Sequence, residues 1–383
     1  MKFIIDGEYQ KELISRISRE NLPVSHIIVH VPQNPFGNGS IFLPKVLPNL
    51  EEFEKYSKLI QDYGITPIAG IDSTCQGNLE AHIKQNSAYK VLINELKDLG
   101  YNDILVSSPN NIGFLKANFP TIRIYLAYSQ YVTSLNRAKI FFELGADYIT
   151  LHPDVIRSFY TLENFIKLKE KWDSSRKFEY ILPLNIGCNW GCIQWFQHHN
   201  LQSHRTIVSP LSSEQQNNSD IEDAFDYPLL YCWKKRLEKP VNLLKAGWIS
   251  PDNIELYENI GYSTFLLLTG GFSVNKIVKV IQSYTKKSLN NSFNEFLNIP
   301  QPYGAYWSND ELFNSMLQLD SEVIKEFNKN FPYYITYLDE REINHHCLKY
   351  VSKLPNGSFS DKQKLIQLIT NKLNKIEKGA VNR

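Results

Sequence analysis

No apolar run in the sequence is long enough to cross a membrane; the longest local stretch, 265–268, falls far short of the ~20 residues that a bilayer requires. A secretory leader is missing as well. The first seven residues carry Lys2 and Asp6, with no apolar core and no small-residue cleavage site, so the chain reads as cytoplasmic. Charge of one sign is not in excess: 41 Lys and Arg against 40 Asp and Glu leave +1, and nothing calls for nucleic acid as a partner. Neither a Gly-x-Ser-x-Gly elbow nor a His-Glu-x-x-His stretch occurs, which removes the common serine-hydrolase and zincin signatures. No Gly-rich phosphate loop follows any candidate strand, which argues against a nucleotide-binding Rossmann domain. The five cysteines are odd in number and scattered. They argue against a disulfide framework and leave core residues, metal ligands or nucleophiles as readings.

What is present is a globular composition, 43% hydrophobic and 21% charged, which excludes disorder. Short β-branched runs at 2–5, 25–31, 66–69, 103–106, 122–126, 147–151, 179–184, 242–245 and 264–268 read as strands. Between them, 50–63, 89–99, 134–144 and 162–172 carry apolar residues three or four apart and read as helices, with Gly64, Gly100 and Gly145 placed as C-caps. Such alternation means parallel strands with crossovers. Roughly eight units in about 290 residues favour a (β/α)8 TIM-like barrel over a doubly wound sheet. Residues 1–290 are assigned to the barrel and 291–383 to a small, mostly helical C-terminal appendage, with helices at 310–331 and 361–376. The stretch 209–226 reads as a polar loop, 301–306 as a connector and 378–383 as a frayed end. No internal repeat or low-complexity tract is present.

The segment richest in chemistry is Asn185-Ile-Gly-Cys188-Asn-Trp-Gly-Cys192, followed by His198, His199, Asn200, Ser203 and His204. It leaves the seventh strand at the carboxyl end of the barrel, the face where barrel active sites lie. Thiolates three residues apart suit zinc or iron–sulfur ligation, but two do not complete a site. Cys75, after the third strand, shares that face, and Cys232 could fold back toward it. Buried core thiols are the competing reading of the same residues.

Taken in order, Asp72-Ser-Thr-Cys75-Gln-Gly-Asn78, Leu144-Gly-Ala-Asp147-Tyr-Ile-Thr-Leu151 and Asn185-x-Gly-Cys188-x3-Cys192 resemble the collagenase-like peptidase family, U32. So do His198-x-Asn200-x2-Ser203-His204, Cys232, Trp248-Ile-Ser-Pro-Asp252, Tyr257, Gly261 and Gly270; the resemblance covers about residues 1–298. It implies a barrel-type domain that binds a 4Fe-4S cluster through Cys75, Cys188, Cys192 and Cys232. It further implies oxygen-independent hydroxylation, or a related redox modification, of an organic or carrier-tethered substrate, with a prephenate-like oxygen donor. Where relatives carry Lys and Arg after the last strand, this chain has Leu267 and Gly271, so those two positions offer an anionic donor no cation.

Other residues carry two readings each. His198 and His204 could ligate iron, act as acid or base, or bond a carbonyl, and His199 is an extra. Arg157 suits a bidentate carboxylate or a structural ion pair. Asp72 could accept a substrate proton or cap the following helix. His30 and the 34–40 loop sit at the end of the second strand, where an ordinary turn outranks a ligand loop. His345-His346-Cys347 reads as a surface cluster, because adjacent residues point apart. Three function classes follow: an iron–sulfur enzyme, a non-catalytic subunit paired with a related protein, or a metal-independent peptidase.

Overall fold

Alternation of inward and outward side chains along eight short strands closes the sheet into a barrel. The strands are β1 (Lys2–Gly7), β2 (Val24–His30), β3 (Thr66–Gly70), β4 (Asp103–Val106), β5 (Arg123–Leu126), β6 (Tyr148–Thr150), β7 (Glu179–Pro183) and β8 (Thr264–Leu267). Each pairs in parallel with its sequence neighbour, and β1 pairs with β8 from Lys2↔Thr264 to Ile5↔Leu267, leaving no free edge. The computed structural model describes residues 1–32, 34, 36–43, 47–77, 83–172, 178–206, 219–289, 296–300, 302, 320–334, 339–353 and 359–378.

Inside the barrel lie Ile4, Ile28, Ile68, Leu105, Tyr125, Ile181 and Leu266, with Tyr125 stacked on Tyr148 at 4.0 Å. The alternate positions, such as Phe3, Ile5, Ile27, Val29, Ile104, Leu126 and Leu267, face the helices in the larger core. Burial on both faces explains why these strands read as continuous apolar runs rather than alternating ones. The outer layer comprises α1 (Lys11–Arg19), α2 (Leu50–Asp62), α3 (Ile83–Asp98), α4 (Pro109–Asn118), α5 (Leu135–Leu144) and α6 (Phe159–Trp172). It continues with α7 (Trp195–Thr206), α8 (Ser219–Glu238), α9 (Val241–Lys245), α10 (Ile254–Ile260) and α11 (Val274–Thr285). Gly64, Gly100 and Gly145 follow their helices with φ of 72°, 87° and 117°, the left-handed caps the sequence asks for.

The TIM-like barrel expectation holds, with one strand misassigned. Residues 242–245 form α9, a helical turn whose Leu243 and Leu244 are buried. An apolar run that short has no period to separate strand from helix. Of the expected polar loop, 207–218 lie outside the described residues, and the chain is helical from Ser219 onward. Residues 296–300 meet the barrel through a bridge between Ile186 and Asn298. The expected connector at 301–306 lies outside the described residues except Pro302, as do 310–319 of the expected helix and 379–383 of the frayed end. The appendage contributes α12 (Ser321–Lys329), α13 (Glu340–Val351), which packs on α9, and α14 (Phe359–Glu377), which packs along α8. Among the described residues no helix is long and apolar enough to cross a membrane.

The β2–α2 loop folds over the carboxyl end of the barrel. Asn34 Oδ1 accepts the N–H groups of Phe36 and Gly37, a turn held by its own side chain. The loop then lays Ile41 and Phe42 against the inner core. Phe42 lies so close to the β8 end that a Cβ on Gly270 would stand 2.1 Å from the Phe42 carbonyl oxygen. Gly270→Ala should therefore lower stability by about 1–3 kcal/mol through forced displacement of that loop. An unchanged urea midpoint would show that the loop is not fixed there.

Candidate functional site

The end of β7 is where the chemistry-bearing segment begins, and Asn185 fixes its departure. Asn185 is fully buried; its Nδ2 donates to the Leu268 and Phe296 carbonyls (2.8 and 3.0 Å), and its Oδ1 accepts the Leu268 N–H (2.9 Å). Gly187 follows where a Cβ would stand 2.5 Å from the Ile299 side chain, and its carbonyl accepts from Arg236 at 2.6 Å. Gly191, at φ +62°, donates its N–H to Asp154 (3.1 Å). The Asn-x-Gly-Cys-x2-Gly-Cys pattern is thus an anchored loop, and α7 starts three residues after Cys192.

Cys188, Cys192 and Cys232 line one narrow cavity, about 300 Å3 counting the part open to solvent, together with His198, His199 and Arg236. Cys232 comes from α8, and its Sγ lies 4.0 Å from that of Cys192. Burial pushes the Cys188 thiol up to about 12, with the neighbouring Cys192 adding to the shift. The hydrogen bond shared with Cys232, and then burial, hold the Cys192 proton in place well above the usual thiol range. Burial draws His198 and His199 down to about 3 and 4, so both imidazoles are neutral at physiological pH. His199 Nδ1 lies 2.6 Å from the Gly39 carbonyl, which makes that nitrogen the N–H donor. Arg236 is the cation that lines the cavity among the described residues; it is buried, with its Nε and one terminal nitrogen lacking hydrogen-bond partners among them, while the Asp154 carboxyl also acts on Cys188.

Cys75 sits elsewhere. Its Sγ lies 3.2 Å from His204 Nε2, and its loop docks on the far end of α7. There Thr74 donates to Asn200, and the Thr74 N–H to Ser203 Oγ. Cys75 is not among the residues that line the cavity of the other three thiols. The structure therefore brings three of the four expected cysteines together and pairs the fourth with a histidine. Soft donors around a buried cation suit a thiophilic metal. The 4.0 Å between Cys192 and Cys232 is near the ~3.8 Å that two thiolates ~2.3 Å from one tetrahedral ion would show. Among the described residues no group of three or more His, Cys, Asp and Glu is arranged as it stands to hold a metal ion. The same thiols could also serve as nucleophiles or exchange electrons.

No known family profile matches the chain. It is 22% identical over 293 residues to the uncharacterized protease MJ1657 of Methanocaldococcus jannaschii, covering 76% of this chain and 80% of that protein. The chain resembles the U32 peptidase family. The solved structure of the U32 peptidase Mk0906 agrees in fold, with a TM-score of 0.50 at 17% identity, over 71% of this chain and 93% of that one.

The remaining expected residues divide between the barrel mouth and the appendage. Among the described residues Asp72 caps no helix. Its Oδ1 accepts the Gly39 N–H (3.2 Å) and lies 3.5 Å from His30 Nδ1, while His30 Nε2 lies 3.2 Å from Asp6. These nitrogens are at ion-pair distance but out of line for straight hydrogen bonds, so the attraction is mainly Coulombic. Arg157 stacks on Trp248 and Phe331 at the junction with the appendage and forms no carboxylate pair among the described residues. His346 lies 3.0 Å from the Phe327 carbonyl, and Cys347 is fully buried, so the cluster at 345–347 does not act together. Leu267 faces the helix layer and Gly271 donates its N–H to Glu8. Sequence reasoning passed over Arg236, although its spacing from Leu229 and Trp233 places it on the buried face of α8.

Burial alone would lower the His30 pKa, but Asp6 and Asp72 outweigh it and raise the imidazole from 6.5 to about 10. A raised folded-state value contributes stability that is complete below the unfolded pKa and fades as pH rises through the folded one. Between about pH 7 and 9 the parent should lose up to about 1.4 kcal/mol of unfolding free energy per pH unit relative to His30→Gln. Parallel urea titrations check this, and equal slopes would refute the ion cluster.

Proposed function

We propose that this chain is a redox enzyme working at the carboxyl mouth of the barrel. Cys188, Cys192 and Cys232 would supply three ligands of an iron–sulfur cluster. The reaction would be an oxygen-independent hydroxylation, or a related redox modification, of a small organic or carrier-tethered substrate. One observation carries this reading: three thiols from two separate elements face one cavity lined, among the described residues, by the buried cation Arg236. A buried guanidinium without a counter-ion is costly, and anionic sulfur ligands would neutralise it. The loop bonds to Asn185, Asp154 and Arg236 hold Cys188 and Cys192 in place, while neutral His198 and His199 add no competing cation. Bound there, a cluster would supply electrons and, if held by three thiolates, an iron open to an oxygen donor. Ile41 and Trp195 wall the cavity and limit water.

The test is anaerobic purification with iron, sulfide and zinc analysis beside a Cys188→Ala variant. The parent should carry iron and sulfide in near-equal amounts, and the variant should lose about tenfold or more of its metal affinity. Zinc in place of iron, or a variant that keeps its iron, would sink the redox reading.

A second reading is favoured by the Cys75–His204 pair at 3.2 Å, a thiol beside a base in the arrangement that activates cysteine nucleophiles. The names of the two similar proteins, a protease and a peptidase, are compatible with it. On that reading, peptide cleavage survives Cys188→Ala and falls by two orders of magnitude or more in Cys75→Ala. Cleavage that is insensitive to Cys75→Ala, or no cleavage by the parent, would reject it.

A further inference from the structure

A guanidinium does not shed its proton in a protein, so a buried arginine keeps its charge and requires an anion, water or π-faces around it. Arg157, 8% exposed, is such a residue at the junction of the barrel with the appendage. One terminal nitrogen donates to the Leu244 carbonyl (2.5 Å), and the guanidinium lies 4.1 Å from the Trp248 ring centre and 4.8 Å from that of Phe331. Its other terminal nitrogen has no hydrogen-bond partner among the described residues. The acidic groups that act on it are Cys347, Tyr333 and Tyr257. Burial pushes the first two up to about 11 and about 12, and the third well above its usual value, so none is an anion at physiological pH. The charge is left facing π-surfaces and a dipole.

Beside Arg157 opens a recess of about 360 Å3, counting the part open to solvent, also lined by Lys245, Ser158, Trp190 and Asp154. A second cation, from the end of α9, thus borders the same space. The carboxyl of Asp154 is already engaged by the Gly191 N–H and the Tyr131 hydroxyl, and it forms no ion pair with Arg157. Two cations without a carboxylate partner among the described residues, a hydroxyl and an indole wall are what an oxyanion needs for charge-assisted hydrogen bonds. We propose that this recess binds a small oxyanion, a carboxylate or a phosphate, between Arg157 and Lys245. Trp190 belongs to the loop between Cys188 and Cys192, so the occupant would rest against the segment that positions the thiols. The site uses no metal and stands or falls apart from the redox reading.

Calorimetric titration of metal-free full-length protein at low ionic strength tests it, with sodium phosphate and sodium benzoate as separate probes. Saturable binding of one equivalent of either is expected, weakened at least about tenfold by Lys245→Gln. Binding of phosphate alone or benzoate alone supports the site and identifies which source of oxyanion it takes. Lys245 is the more exposed of the two cations, so its variant keeps the test valid even if Arg157→Gln does not fold. Should Arg157→Gln fold, it must abolish binding. No saturable binding of either probe by the parent, or affinity unchanged in Lys245→Gln, would overturn the proposal.

Discussion

The amide of Asn185 is the clasp on which the mouth of this barrel depends. It joins the end of β7 to Leu268 just past β8 and to Phe296 in the returning segment, with three hydrogen bonds and no solvent exposure. The Cys188–Cys192 loop leaves from that clasp, and so does the backbone bond of Gly187 to Asn298. An aspartate could not donate either amide bond, and an alanine would take the partner from the Leu268 N–H and the Phe296 carbonyl, while the Leu268 carbonyl would keep its bond from Asn298. The loop geometry follows from one side chain that is polar, buried and nearly saturated.

Helix α7 then divides the mouth into two sites. Its first turns carry Trp195, His198 and His199 toward the thiol cavity, while Asn200, Ser203 and His204 meet the Cys75 loop. The β2–α2 loop depends on the same helix, through the bonds from His199 to Gly39 and from the Asn38 N–H to Thr206. Plug, cavity and Cys75 loop are thus fastened to one element, and a change in its position would be felt at all three.

Most of the barrel could be read from the sequence, because parallel strands buried on both faces leave continuous β-branched runs. The exception at 242–245 is informative: Leu243 and Leu244 are buried in a helical turn, and an apolar run that short reads equally well as a strand. At the site, spacing pointed to Cys188 and Cys192 but carried no information on which side chains Cys75 meets, because it lies more than a hundred residues earlier in the chain. Arg236 was hidden for another reason. It stands in a run with Lys234 and Lys235 that resembles a solvated charge cluster, whereas Leu229, Leu230, Trp233 and Leu237 put its position on the apolar stripe. A cation at a stripe position is the signal that composition conceals.

A net charge of +1 also conceals a local imbalance. Arg236 and Arg157 border the same loop, the first bonded to Gly187 and the second beside Trp190, and neither has a carboxylate partner among the described residues. Natural folds rarely bury an unneutralised guanidinium, because the desolvation cost is several kcal/mol even after relaxation. Two beside one loop are hard to ascribe to packing, which a Leu or Met would serve at lower cost. Cation–π contacts with Trp248 and Trp233 offset part of that cost, yet they leave hydrogen-bond donors unused in both cases. The economical physical account is that negative charge reaches both places from outside the folded chain or from its thiols, and that the loop is built to lie beside them.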